Sequence, residues 1–290
     1  MKKKSAVTFF LLFITFTAFS FNWPQEQIVE SDAFYSYFAQ LRGNTISNSL
    51  IFAETSEIKA CEDGFLTVYI TEHSDDSDFF PSTLGNAAVI SHEDNLITVY
   101  ANLDSESLTK EHFQVNEISS GASLGYSGNS AWQQGRSALE FQVFDITKNI
   151  SINPRLLMPR IGKELPLSIS EVKLQNAKNG KFYSLPENSS IPSGTYKVFK
   201  KRQNTAVPFK TAVSINGTIV DTISFDLLKQ TDGLISAVGK KNYIKNQIYP
   251  NEKLQFIGEA IMSPGKNTLK ITVLDILEKQ YSQTYNLMVW

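Results

Sequence analysis

SALEFQVFD, residues 137–145, alternates as a half-buried strand does: Leu139, Phe141 and Val143 fall on one face, Ala138, Glu140 and Gln142 on the other. A carboxylate between two large apolar residues is either a solvent-facing side chain or part of a site. The same periodicity recurs along the chain. FLTVYIT (65–71), NAAVISH (86–92), LITVYANL (96–103), TAVSING (211–217) and TLKITVLD (268–275) each show period-two alternation or a β-branched and aromatic run, bounded by Gly, Asn, Asp or Pro. Only ESDAFYSYFAQL (30–41) carries the spacing of a short helix. The expectation is a mainly β protein.

With 290 residues, 42% of them hydrophobic and 19% charged, the chain has the apolar content to build real cores. Two units are expected. The first, 22–160, closes in INPRLLMPR, where prolines end a strand-rich stretch. After the short GKELP connector the second, 165–290, has its own strands, the turn PSGTY (192–196) and a closing pair of strands. Strands spaced ~10 residues apart predict an immunoglobulin-like β-sandwich there. Within it, the aromatic and basic stretch YKVFKKRQN (196–204) is either a partner surface of a structural or adhesive protein or, the plainer reading, a solvated hairpin.

The N-terminus has three lysines, Lys2, Lys3 and Lys4, followed by the uncharged AVTFFLLFITFTAF and then Ser20. A basic start, a short apolar run and a small-residue end are the parts of a secretory signal, so 1–20 is expected to be a signal peptide. The run falls short of the roughly 20 residues that a membrane span requires. The expected product is an exported protein of the periplasm or cell surface, without a stable transmembrane span after cleavage. A net charge of -2 gives no basis for nucleic-acid binding. A single cysteine, Cys61, rules out an internal disulfide and is expected to pack as a small hydrophobe.

Four segments of the first unit occur in a telling order: GNAAVISHEDNLITVYANL (85–103), SSGASLGYSGNS (119–130), SALEFQVFD (137–145) and INPRLLMP (152–159). Together with FNWP (21–24) they resemble the β-core domain of the lysostaphin/LytM-type zinc metallopeptidases, which cut peptide bonds in bacterial peptidoglycan. The resemblance implies a fold, an antiparallel β-core, and a place for a site. In that family a zinc ion is held by a His-x-Gly-x-Asp motif and by the second His of a His-x-His motif. The first His of that pair and the His of Tyr-Ala-His-Leu assist the water. A catalytic zinc needs three protein ligands and an open position.

Carried over by position, the resemblance places Ser47 and Ile51 where the first His and the Asp would stand, and Glu140 where the ligand His would stand. Ala138 and Asn102 take the places of the two assisting histidines. Isoleucine offers no donor atom, and a serine hydroxyl is a weak one. The implied protein is therefore a degenerate family member that needs no cofactor. It would act as a binding or regulatory module toward peptidoglycan or a wall hydrolase, with Ser47, Asn102 and Glu140 as candidate groove residues. Two alternatives remain: an active metallopeptidase with relocated ligands, drawing on Glu140 with His73 or His92, and a structural protein that works through its C-terminal sandwich. His92 is expected to be structural and His112 exposed. His73, in the acidic stretch EHSDDSDFF, is a candidate for weak cation binding.

Overall fold

The structure is a computed structural model that describes residues 21–25, 33–71, 82–107, 116–132, 138–159 and 164–290. The signal segment, His73 and His112 lie outside these residues. The described chain is mainly β, and none of its helices is long and apolar enough to cross a membrane.

The first unit contains β1 (Phe34–Ser36), β2 (Leu41–Arg42), β3 (Thr45–Ile46), β4 (Leu50–Phe52), β5 (Glu57–Lys59), β6 (Gly64–Ile70), β7 (Asn86–Ser91), β8 (Leu96–Leu103), β9 (Glu117–Ile118), β10 (Ser123–Tyr126), β11 (Glu140–Asp145) and β12 (Ile150–Ile152). Its central ladder runs β9-β6-β7-β8-β11, every pair antiparallel. The far side of β11 is shared: Glu140 and Phe141 pair with β4, and Val143 to Asp145 pair with β12. Alternation sends Leu50, Phe52, Ala88, Ile90, Tyr100, Phe141 and Val143 into one buried core. A fully buried side chain of that size contributes ~1.5–3 kcal/mol, which sets the register firmly. On the opposite face Ala87, Val99 and Ala101 form a smaller cluster.

The second unit contains β13 (Lys173–Asn176), β14 (Phe182–Ser184), β15 (Ser190–Ile191), β16 (Gly194–Lys201), β17 (Lys210–Ile215), β18 (Thr218–Thr231), β19 (Leu234–Val238), β20 (Asn242–Ile244), one helical turn α1 (Lys245–Ile248), β21 (Leu254–Met262), β22 (Gly265–Leu274) and β23 (Gln280–Val289). A sheet β14-β13-β16-β21 faces the run β15-β23-β22-β17-β18. Between them Leu174, Tyr196, Val198 and Ile257 meet Val213, Leu269, Ile271 and Leu287. This is a two-sheet sandwich.

The two units share a sheet. Near its C-terminal end β18 stops pairing with β17 and takes β12 as its neighbour, with Ile152 opposite Leu227 and Ile150 opposite Lys229. A third core spans the joint: Phe38, Ala39 and Ile46 pack with Phe225, Leu228, Tyr249 and Phe256. The Tyr249 hydroxyl donates to the Ala39 carbonyl at 2.8 Å. Beside it, the buried Arg155 pairs with Glu164 and lies over the rings of Phe34 and Tyr37.

Two expectations need correction. The stretch expected as a helix at 30–41 is strand and turn where it is described: Phe34–Ser36 is β1, and Ala39 sits at a φ of 66°, outside any right-handed helix. The basic stretch 196–204 is no solvated hairpin. Most of it is β16, hydrogen-bonded on both sides by β13 and β21, with Tyr196, Val198, Phe199 and Lys200 buried.

Candidate functional site

The register that builds the sheet also decides the neighbours of Glu140. It lies opposite Ile51 of β4 on one side and Ala101 of β8 on the other, and is only 2% exposed. It is therefore not a solvent-facing side chain. A carboxylate this deep needs a countercharge, because burial strongly disfavours an unpaired ion. Among the described residues the countercharge is Arg42, which sequence reasoning passed over. Its Nη1 lies 2.5 Å from Oε1 and its Nη2 3.0 Å from Oε2, a two-pronged fork. Gln142 donates to Oε1 at 3.2 Å, and Arg42 Nη1 also reaches the Ser49 hydroxyl at 3.2 Å.

Ser47 enters the same network one step away. Its hydroxyl lies 3.1 Å from that of Ser49 and 3.3 Å from the Ser49 carbonyl. Ser47 is thus linked to Glu140 through Ser49 and Arg42, and Ile51 faces Glu140 by the β4–β11 register. Ala138 is buried at the entry to β11.

Asn102 does different work. It stands at a φ of 65°, a conformation Asn tolerates better than most residues. Its amide Nδ2 donates to the Gly128 and Ala138 carbonyls, both at 2.7 Å, and its Oδ1 accepts from the Ala131 amide at 2.8 Å. Asn102 therefore ties the turn through 128–131 to the start of β11. The turn comes so close that a β-carbon on Gly128 would lie 2.6 Å from the Asp104 backbone. Ser47, Asn102 and Glu140 are all buried, with their polar atoms turned to other parts of the chain.

A cleft of about 590 Å³ opens over this network, lined among others by Tyr35, Gln40, Arg42, Ile51, Trp132 and Asn204. Asn204 belongs to the second unit, and the Gln40 side-chain amide donates to its carbonyl. The hairpin β2–β3 that carries Arg42 puts Ile46 into the joint core and follows directly on Phe38 and Ala39 of that core. The second unit thereby helps hold the arginine against Glu140.

The other candidates lie elsewhere. His92 hydrogen-bonds the Asp63 carbonyl through Nδ1 and Thr98 through Nε2, each at 2.7 Å, and packs on Phe21. Its pKa is lowered, chiefly by burial. It stands near the far end of β8 from Glu140. Cys61 is fully buried, accepts from the Tyr100 hydroxyl at 3.0 Å, and has its thiol pKa pushed up to about 12 by burial. Among the described residues no group of three His, Cys, Asp or Glu side chains converges as metal ligands would. The described donors gathered around Glu140 are hydroxyls, amides and one carboxylate already held by a guanidinium, a set that does not fit zinc.

Residues 48–154, the span from β4 to β12 that carries Glu140, match peptidase family M23, the family of the LytM-type peptidases. Residues 166–290 match a second family model that carries no functional description. A stretch of 53 residues is 47% identical to a protein of Treponema pallidum (strain Nichols) described as uncharacterized. That match takes in 18% of this chain and 36% of the relative, about a third of its length.

Proposed function

We propose that this chain is a non-catalytic relative of the M23 peptidases that serves as a binding or regulatory module in the bacterial envelope. It is exported by its N-terminal segment and faces peptidoglycan or a wall hydrolase. The observation that supports the reading most is the pairing of Glu140 with Arg42. At the position that the resemblance assigns to a ligand histidine, the chain places a carboxylate and gives it an organic cation. Ile51, opposite it, offers no donor, and Asn102 is occupied in holding a turn. A group that must take a proton from water during peptide hydrolysis has no counterpart among these residues.

Two measurements on the full chain purified from an envelope fraction test this. Metal analysis is expected to find well under one zinc per chain, and incubation with purified murein to release no soluble peptides while the protein sediments with the murein. One zinc per chain, or release of wall peptides, would overturn the reading.

A further inference from the structure

The Arg42 guanidinium has two forked edges, and only one is used. Nη1 and Nη2 face Glu140, and the remaining Nη1 hydrogen goes to Ser49. The Nε hydrogen and the outer hydrogen of Nη2 form the second fork, which no described residue bonds. The side chain is 34% exposed and lines the cleft of about 590 Å³. Among the described residues the cleft lining holds no other charge; it holds amides, hydroxyls and apolar side chains. Two aromatic residues stand at its rim with much of their surface in water, Trp132 at 65% exposed and Tyr35 at 46%. Exposed rings beside a concave site with one aimed cation are the ingredients of ligand recognition.

We infer that this cleft binds a carboxylate, docked on the free Nε/Nη2 edge of Arg42 with the body of the ligand against Trp132 and Tyr35. The guanidinium is planar and rigid, so its second fork presents two parallel donors at the spacing of two carboxylate oxygens. Glu140 fixes the plane of that fork from behind, so the ligand meets a pre-oriented arginine. Asn204 adds an amide group from the second unit, and Gln40, which bonds its carbonyl, braces that side of the cleft. The carboxylate is supplied either by the end of a peptide or by a sugar acid. The inference does not require that either come from a cell wall.

Calorimetric titration of the full chain tests it with N-acetyl-alanyl-alanine and its C-terminal amide, and with N-acetylmuramic acid and its methyl ester. At least one free acid is expected to bind, with its neutral counterpart tenfold or more weaker; the acid that binds identifies the source. Trp132→Ala should weaken that binding at least fivefold without moving Tm, because the ring is mostly in water. Arg42→Lys, which keeps a charge beside Glu140 but loses the fork, should weaken it similarly. Binding by neither acid, equal binding of acid and neutral form, or an unaltered Trp132→Ala variant overturns the inference. Sedimentation with murein but no preference for acids would leave the wall reading standing and remove this one. Preference for an acid without retention on murein would do the reverse.

Discussion

Arg42 and Glu140, 98 residues apart in sequence, meet in a fork between a hairpin and the first residue of β11. Removing the arginine takes the forked pair away from a carboxylate that is only 3% exposed. Breaking a fully buried pair costs ~3–5 kcal/mol, but a third of Arg42 is in water and solvent would screen part of the loss. Arg42→Ala is therefore expected to lower unfolding stability by about 2 kcal/mol. Adding Glu140→Gln should recover part of that, since the buried charge disappears. Urea denaturation of the two single variants and the double variant measures this, and additive losses would contradict the pairing.

Asn102 carries the second prediction. From a fully buried position its side chain bonds the Gly128 and Ala138 carbonyls and the Ala131 amide, and it tolerates a φ of 65°. Asn102→Ala removes the bonds and retains the strained backbone, so a loss of ~2–4 kcal/mol is expected. Asn102→His, which would restore the residue that the family resemblance expects, should be nearly as costly because an imidazole cannot bond two carbonyls and an amide in this geometry. Thermal unfolding of both variants decides; a stable Asn102→His protein would mean that the turn is held by something else.

Much of this architecture is legible in local pattern. Period-two alternation in LITVYANL and SALEFQVFD gives the strands because both faces of each strand meet defined neighbours. The misread helix at 30–41 has an instructive cause. Phe34, Tyr37 and Phe38 have helical spacing because the segment divides its apolar residues between two cores. Phe34 and Tyr37 go to the first, and Phe38 goes to the joint with the second unit. Arg42 is invisible in the sequence for a different reason. It lies in a turn-like LRGN stretch, and only tertiary folding sets it against Glu140. Ser47, Ile51 and Glu140 fall together in the sequence reading only because a family resemblance supplies their positions.

The Cys61 thiol should be inert. Its Sγ is buried against Tyr100, and burial raises its pKa from 9.0 to about 12. Since the thiolate is the reactive form, a disulfide reagent at pH 8 is expected to modify the native chain at under one hundredth of the rate seen in denaturant. The linkage has a definite sign. The folded pKa lies above the unfolded one, so this contribution to stability is complete below pH 9 and is lost as pH rises toward 12. Cys61→Ala should remove that decline from the pH–stability curve. Rapid labelling of the folded protein would show that the thiol is open to solvent.

Lys200 tests the same logic with the opposite sign. It sits in β16 with no exposed surface, and among the described residues its ammonium donates only to the carbonyl of Lys201, at 3.0 Å. Burial lowers its pKa from 10.5 to about 8. Between those values the unfolded chain holds a proton that the folded chain does not, so this residue makes stability rise with pH from 8 to 10.5. Below pH 8 both states are charged, and the folded protein carries the full cost of burying an ammonium, up to about 3 kcal/mol. Lys200→Met, similar in length and apolar, is therefore expected to stabilise the protein at pH 7 and to change it little at pH 10.5. Denaturant midpoints of both proteins across that range check the difference. A Met variant that is less stable at pH 7 would mean that the Lys200 hydrogen bond outweighs the cost of burying its charge.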